Sequence, residues 1–129
     1  MLELAFDLAD CEGRNLEVVH CWQHHGRMRE HRDYGSWLRE TTEQGRVLEE
    51  SVGLHADKHP EVAVRRHVVE ADPVPTLILR AREAALLVVG ARGLTWRRPG
   101  PGRGSVPVIG SVSRAVVERA PCTVVVVRQ

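Results

Sequence analysis

The chain has 129 residues, 43% of them hydrophobic and 27% charged, proportions that suit one globular domain and fit poorly with wholesale disorder, collagen-like repetition or a disulfide scaffold. The formal charge of +1 joins two unequal parts: residues 1 to 85 hold 11 basic and 16 acidic groups, whereas residues 86 to 129 hold seven arginines against Glu118 alone. With Lys58 as the single lysine, lysine-dependent chemistry has almost no candidates.

Met1 to Asp10 carries Glu3, Asp7 and Asp10 and no basic residue. That is the reverse of a signal peptide's start, so a cytoplasmic location is expected. Leu2, Ala5, Phe6 and Ala9 lie at helical spacing and Gly13 supplies a stop, so Met1 to Cys11 reads as a short amphipathic helix. Leu16 to Cys21 is an apolar strand, followed by a polar loop from Gln23 to Asp33 that carries His24, His25 and His31. Ser36 to Asp57 reads as a long surface helix, with Ser36 as its cap, Gly45 weakening it and Pro60 preventing its continuation.

Val62 to Val69 alternates apolar and polar residues, as a strand at a sheet edge does. Asp72-Pro73 is a helix start, with Val74, Leu77, Ile78 and Ala81 on one face. Leu86 to Val89 is a continuous apolar strand ending at Gly90. Residues 91 to 109 are rich in Gly, Pro and Arg, Ser111 to Ala120 resumes helical spacing before Pro121, and Thr123 to Val127 is the last strand. None of the apolar runs approaches the ~20 residues of a membrane-spanning helix. Strands alternating with helices predict an α/β fold with a parallel sheet covered on both faces. The unbroken Leu/Val runs of the two C-terminal strands suit that position.

In such a sheet, ligands bind beyond the carboxyl ends of the strands. The segment after Leu86 to Val89 reads GARGLTWRRPGPGRGSVPVIGSVSR. Gly90 and Gly93 allow close backbone approach to an anion, Arg92 adds a charged donor, and Gly110-Ser111 opens a helix whose free amides favour phosphate. A P-loop is excluded because no lysine lies in any such loop. The dinucleotide fingerprint fails because Gly102-Arg-Gly104 is followed by Pro107 where glycine is needed.

The sequences LLVVGARG and GSVSRAVVERAPCTVVVV resemble the signature of the universal stress protein family, in which a strand ending in a glycine pair leads through a loop to Gly-Ser/Thr at a helix start, then Ala-Pro-Cys and a valine-rich strand. LELAFDLADCEGRNLEVVHCW and VVEADPVPTLILRARE are similar to the family's earlier elements, so the resemblance runs over nearly the whole chain. It implies a Rossmann-like three-layer α/β sandwich of the adenine nucleotide alpha hydrolase type in a single domain. It also implies adenine nucleotide binding, with ATP and magnesium as the expected ligand, and a homodimer formed through the last strand.

Carried over by position, Gly90, Arg92 and Gly93 would line the phosphate and ribose region. Gly110, Ser111, Val112 and Ser113 would cradle phosphates, and Cys21 and Val89 would contact the nucleoside. Val124, Val125, Val126 and Val127 would form the dimer edge, which also has a physical basis because an exposed flat valine strand invites pairing.

Two departures stand out. Family members normally begin with a further strand ending in an Asp-Gly-Ser type motif, and the sheet's middle strand is therefore missing here. Either upstream sequence supplies it or the remaining strands close the gap, at a cost in core and pairing that predicts low stability or a compensating partner strand. Sixteen residues separate Gly93 from Gly110, more than the family pattern has, which places an insertion at Thr95 to Arg103.

Other constellations are weaker. His20, Cys21, His24 and His25 lack the spacing of a zinc site, so a solvated loop is the favoured reading. Cys11, Cys21 and Cys122 read as free thiols, and Cys122 as a small core residue. Trp96 with Arg97, Arg98 and Arg103 has the ingredients of single-strand binding, but one aromatic favours a solvated insertion. No general base or nucleophile stands out, so an enzyme is not expected, and any ATP hydrolysis would be slow and incidental. The alternatives to a nucleotide-binding stress-response module are a nucleotide-independent dimeric interaction module and, last, nucleic-acid binding through the insertion.

Overall fold

The computed structural model describes residues 1–23, 33–91 and 109–127. Its elements run α1 (Leu2–Glu12), β1 (Leu16–Trp22), α2 (Tyr34–Lys58), β2 (Val64–Glu70), α3 (Pro73–Ala81), β3 (Leu86–Gly90), α4 (Ser111–Arg119) and β4 (Thr123–Val127). This is the alternating order expected from the sequence. The chain divides into two units, Leu2–Thr76 and Leu77–Gln129.

Helix α1 buries Ala5, Phe6 and Ala9 along one stripe. It ends as its sequence dictates, because Gly13 adopts φ +62°, a left-handed conformation that costs other residues energy. There the amide of Gly13 donates to the Asp10 carbonyl at 3.2 Å and that of Arg14 to the Ala9 carbonyl at 2.9 Å, which satisfies two carbonyls the helix end would leave open.

Helix α2 starts earlier than Ser36. The carboxylate of Asp33 caps it by accepting from the Ser36 amide at 2.7 Å, and that bond holds the Asp33 carboxyl below its ordinary pKa. Ser36 is thus the residue capped, since its amide is one of the helix's open donors. The helix runs through Gly45 because Leu48 and Val52, a turn or two further on, are buried. It stops before Pro60, where the His59 amide donates to the Ala56 carbonyl.

The core of Leu2–Thr76 is Phe6, Ala9, Leu48, Val52 and Val62, with Leu16, Val18, Ala56, Val64 and Val68 packed against it. Phe6 is fully buried, its ring stacked against His55 at 5.8 Å and His59 at 5.6 Å between centroids. His59 in turn reaches Asp7 at 3.2 Å and Asp10 at 3.0 Å on α1. Strands β1 and β2 pair in parallel from Leu16↔Val64 to Trp22↔Glu70. Val62, expected within the second strand, lies just before it as a buried core residue. The strand extends instead to Glu70, whose carboxylate accepts from the Trp37 indole at 2.7 Å.

Asp72 opens α3 as expected, its carboxylate accepting from the Val74 amide at 3.0 Å. In Leu77–Gln129, β3 and β4 pair in parallel from Leu86↔Thr123 to Gly90↔Val127. Ala81, Val89, Ala91, Ser113 and Val116 are buried there. Leu86, Leu87 and Val88 are only half-buried, although their unbroken apolar run suggests cover on both faces. Among the described strands the ladders form two parallel pairs, β1-β2 and β3-β4, with no ladder joining them. Within each pair the strands run parallel, as expected. No helix among the described residues is long and apolar enough to cross a membrane.

Candidate functional site

The carboxyl end of β3 and the start of α4 are joined through their backbones. The Ala91 amide donates to the Val127 carbonyl at 2.8 Å, carrying the β3-β4 ladder one step beyond Gly90. The Ala91 carbonyl then accepts from the Gly110 amide at 2.7 Å. A side chain adds the third tie, the Ser113 hydroxyl donating to the Gly90 carbonyl.

Gly110 is the N-cap of α4, with φ −60° and ψ 157° and no side-chain cap. The first intrahelical bond runs from the Arg114 amide to the Gly110 carbonyl at 3.0 Å. The amides of Ser111, Val112 and Ser113 therefore have no acceptor within the helix. No acidic residue lies in the first turn, so the helix dipole there is not neutralised from its own sequence. The result is an electron-poor helix end beside a strand terminus, an arrangement that can hold an anion.

Of the residues expected at the site, the structure brings together Val89, Gly90, Gly110, Ser111, Val112 and Ser113. Val89 is buried in the β3-β4 pair, Ser111 is exposed and Val112 half-buried. Arg92 and Gly93 lie outside the described residues, as do Trp96, Arg97, Arg98, Arg103 and the whole insertion. Cys21, half-buried near the end of β1, belongs to the other unit. Two polar ties reach β1 and β2 from α2, His20 to Gln44 at 2.7 Å and Trp37 to Glu70 at 2.7 Å. Val124, Val125, Val126 and Val127 are half-buried in β4 opposite Leu87, Val88, Val89 and Gly90.

Sequence reasoning missed Ala91. Its amide and carbonyl link β4 to the helix cap, and the one available signal was a small residue directly after Gly90. Among the described residues no cluster of three or more His, Cys, Asp or Glu side chains is gathered as a metal ion requires. His24 and His25 lie outside them. Cys11, Cys21 and Cys122 are not joined in disulfides.

Comparison with known proteins agrees with this architecture. Residues 1–128 match the family model described as the universal stress protein family. A universal stress protein of Mycobacterium tuberculosis is 34% identical over 98% of this chain, and the chain spans 38% of that relative's length. Among solved structures, the universal stress protein UspA from Lactobacillus plantarum superimposes with a TM-score of 0.73 at 23% identity, covering 97% of this chain and 85% of that one.

A universal stress protein in complex with cAMP gives 0.67 at 21% identity, with 98% and 84% coverage. One from Archaeoglobus fulgidus in complex with dAMP gives 0.63 at 22%, with 97% and 82% coverage. These structures share the Rossmann-like α/β fold. With a family model matched along almost its whole length and relatives at 34% identity, the chain belongs to the universal stress protein family.

Proposed function

We propose that this chain is a single-domain, cytoplasmic stress-response module that binds an adenine nucleotide, ATP with magnesium in the first instance, at the β3 end and the start of α4. It acts as a homodimer through β4. The observation that carries the reading is the uncapped, electron-poor start of α4, tied to the end of β3 by the Gly110 amide and the Ser113 hydroxyl. Two family members of the same fold have been solved with cAMP and with dAMP, which supports an adenine nucleotide as the ligand class. In this reading Gly90 gives close backbone approach, the amides of Ser111, Val112 and Ser113 receive phosphate oxygens, and Arg92 and Gly93 contribute to phosphate and ribose binding. Val89, at the end of β3, contacts the nucleoside.

The test is calorimetric titration of the protein with ATP and magnesium, then with AMP, on the wild type and on a Gly110→Val/Ser111→Ala variant. The Gly110 backbone angles are ones that valine adopts without strain, so the variant changes access to the amides without forcing the backbone out of its observed conformation. Saturable binding by the wild type, lost in the folded variant, is the expected result. Absence of binding by a folded wild type would leave the second reading, an interaction module working through the half-buried valines of β4, and sedimentation would then have to show a dimer broken by Val125→Arg.

A further inference from the structure

We propose that Ser113 is a positioning residue: its hydroxyl is committed to holding the start of α4 against the end of β3, and it is not one of the groups that bind phosphate. This rests on the nucleotide reading above only for the ligand, because the tie itself lies within the protein.

The argument begins with the direction of the Gly90 carbonyl. All peptide bonds among the described residues are trans, so the carbonyl of one residue and the amide of the next point in opposite directions. The Ala91 amide points to β4, where it meets the Val127 carbonyl. The Gly90 carbonyl therefore points away from β4, toward the side of β3 on which no described strand forms a ladder. A half-buried strand-end acceptor on that side needs another partner, since a buried carbonyl left without one is costly.

Ser113 supplies it from the third residue of α4. Its side chain is buried, with 5% of the residue exposed, and its hydroxyl crosses from the helix to the strand end.

A hydroxyl has one hydrogen to donate and two lone pairs. Once that hydrogen is given to the Gly90 carbonyl, the oxygen offers only lone pairs, and phosphate oxygens are themselves acceptors. The Ser113 side chain is thus the wrong partner for phosphate as it is placed here. Its amide and the amides of Ser111 and Val112 remain available, together with the exposed Ser111 hydroxyl. Two neighbouring serines on one helix turn consequently divide the work: Ser111 faces the ligand, and Ser113 sets where the amides sit. The expectation that both cradle phosphate is replaced by a strut and a ligand.

The experiment compares wild type, Ser113→Ala, Ser113→Thr and Ser111→Ala by amide hydrogen exchange in the nucleotide-free protein and by titration with ATP and with adenosine. For Ser113→Ala, exchange at Gly110, whose amide donates to the Ala91 carbonyl, should rise by roughly 5-fold, the scale set by loss of one ordinary hydrogen bond. ATP affinity should fall by a similar factor while adenosine affinity holds, and Ser113→Thr, which keeps the hydroxyl, should restore both. Ser111→Ala should weaken ATP binding with exchange unchanged.

Weaker ATP binding by Ser113→Ala with wild-type exchange would overturn the proposal, because it would make the hydroxyl a direct ligand. Raised exchange with unchanged ATP affinity would overturn it as well, leaving a purely structural serine. Raised exchange, reversed by threonine, in a protein that binds no ATP would uphold the strut and sink the nucleotide reading. If Ser113→Ala does not fold, Ser113→Thr decides alone: wild-type exchange and ATP affinity uphold the strut, and lost protection overturns it.

Discussion

Leu2–Thr76 and Leu77–Gln129 hold their elements in different ways. The first is organised around large side chains: Phe6 and Val52 are fully buried, and the rings of His55 and His59 stack on Phe6. His59 also ties α2 to α1 through Asp7 and Asp10. The second buries mostly small groups, Ala81, Ala91, Ser113, Val89 and Val116. There the helix meets the strand end by way of backbone carbonyls and amides. Large apolar burial is insensitive to small rotations, whereas hydrogen bonds fix direction. The unit that carries the open amides of α4 is the one whose helix start is fixed by directional contacts.

The sharpest way to break that contrast is Phe6→Ala. Loss of this fully buried ring should cost about 3–5 kcal/mol, seen as a lower midpoint in urea denaturation. Hydrogen exchange should place the loss of protection first in Leu2–Thr76, and uniform loss over both units would show that the chain unfolds as one cooperative body. Val116→Ala probes the second unit. Removing two buried carbons at a fully enclosed position should cost about 2 kcal/mol, again read from the denaturation midpoint, with protection lost first around β3, β4 and α4.

The smallest expected effect belongs to Asp33. Its carboxyl is lowered chiefly by the bond from the Ser36 amide, so the folded state favours the ionised form. The stabilisation of the α2 start is complete above the ordinary carboxylate pKa and is lost as the pH falls through the lowered value. Amide exchange at Ser36 should therefore quicken on acidification in the wild type. In Asp33→Asn, which keeps a neutral acceptor, it should stay flat through that range once the intrinsic pH dependence of exchange is divided out. Parallel curves for the two proteins would remove Asp33 from the account.

Local chemistry made much of this fold legible in the sequence. The last strand, Thr123 to Val127, is legible with its observed bounds, because a valine run directly after Pro121 has no competing pattern. The start of α3 was equally plain, since aspartate before proline satisfies open amides while proline lacks one to satisfy. Gly13 announced the end of α1. Ser36 misled, because Asp33 three residues earlier is an equally good cap. Choosing between them depends on where the chain enters the helix.

Val62 misled for a related reason. An apolar residue in an alternating stretch looks like part of the strand, but here it fills the core beside Leu48 and Val52 before the ladder begins.

At the candidate site, sequence alone determined the residue types and their places at strand and helix ends: Gly90 closing β3, Gly110 and Ser111 opening α4, and valines along β4. These follow from periodicity and from the special backbone roles of glycine and proline, which act over a few residues. Only the tertiary structure decided that Ala91 would link β4 to the helix cap and that the Ser113 hydroxyl would face a carbonyl 23 positions earlier in the chain. A hydroxyl can donate to water, to a ligand or to the protein with similar ease, and a sequence does not encode which acceptor lies in reach. That choice arises when packing turns the Gly90 carbonyl away from its ladder and burial leaves Ser113 as its partner.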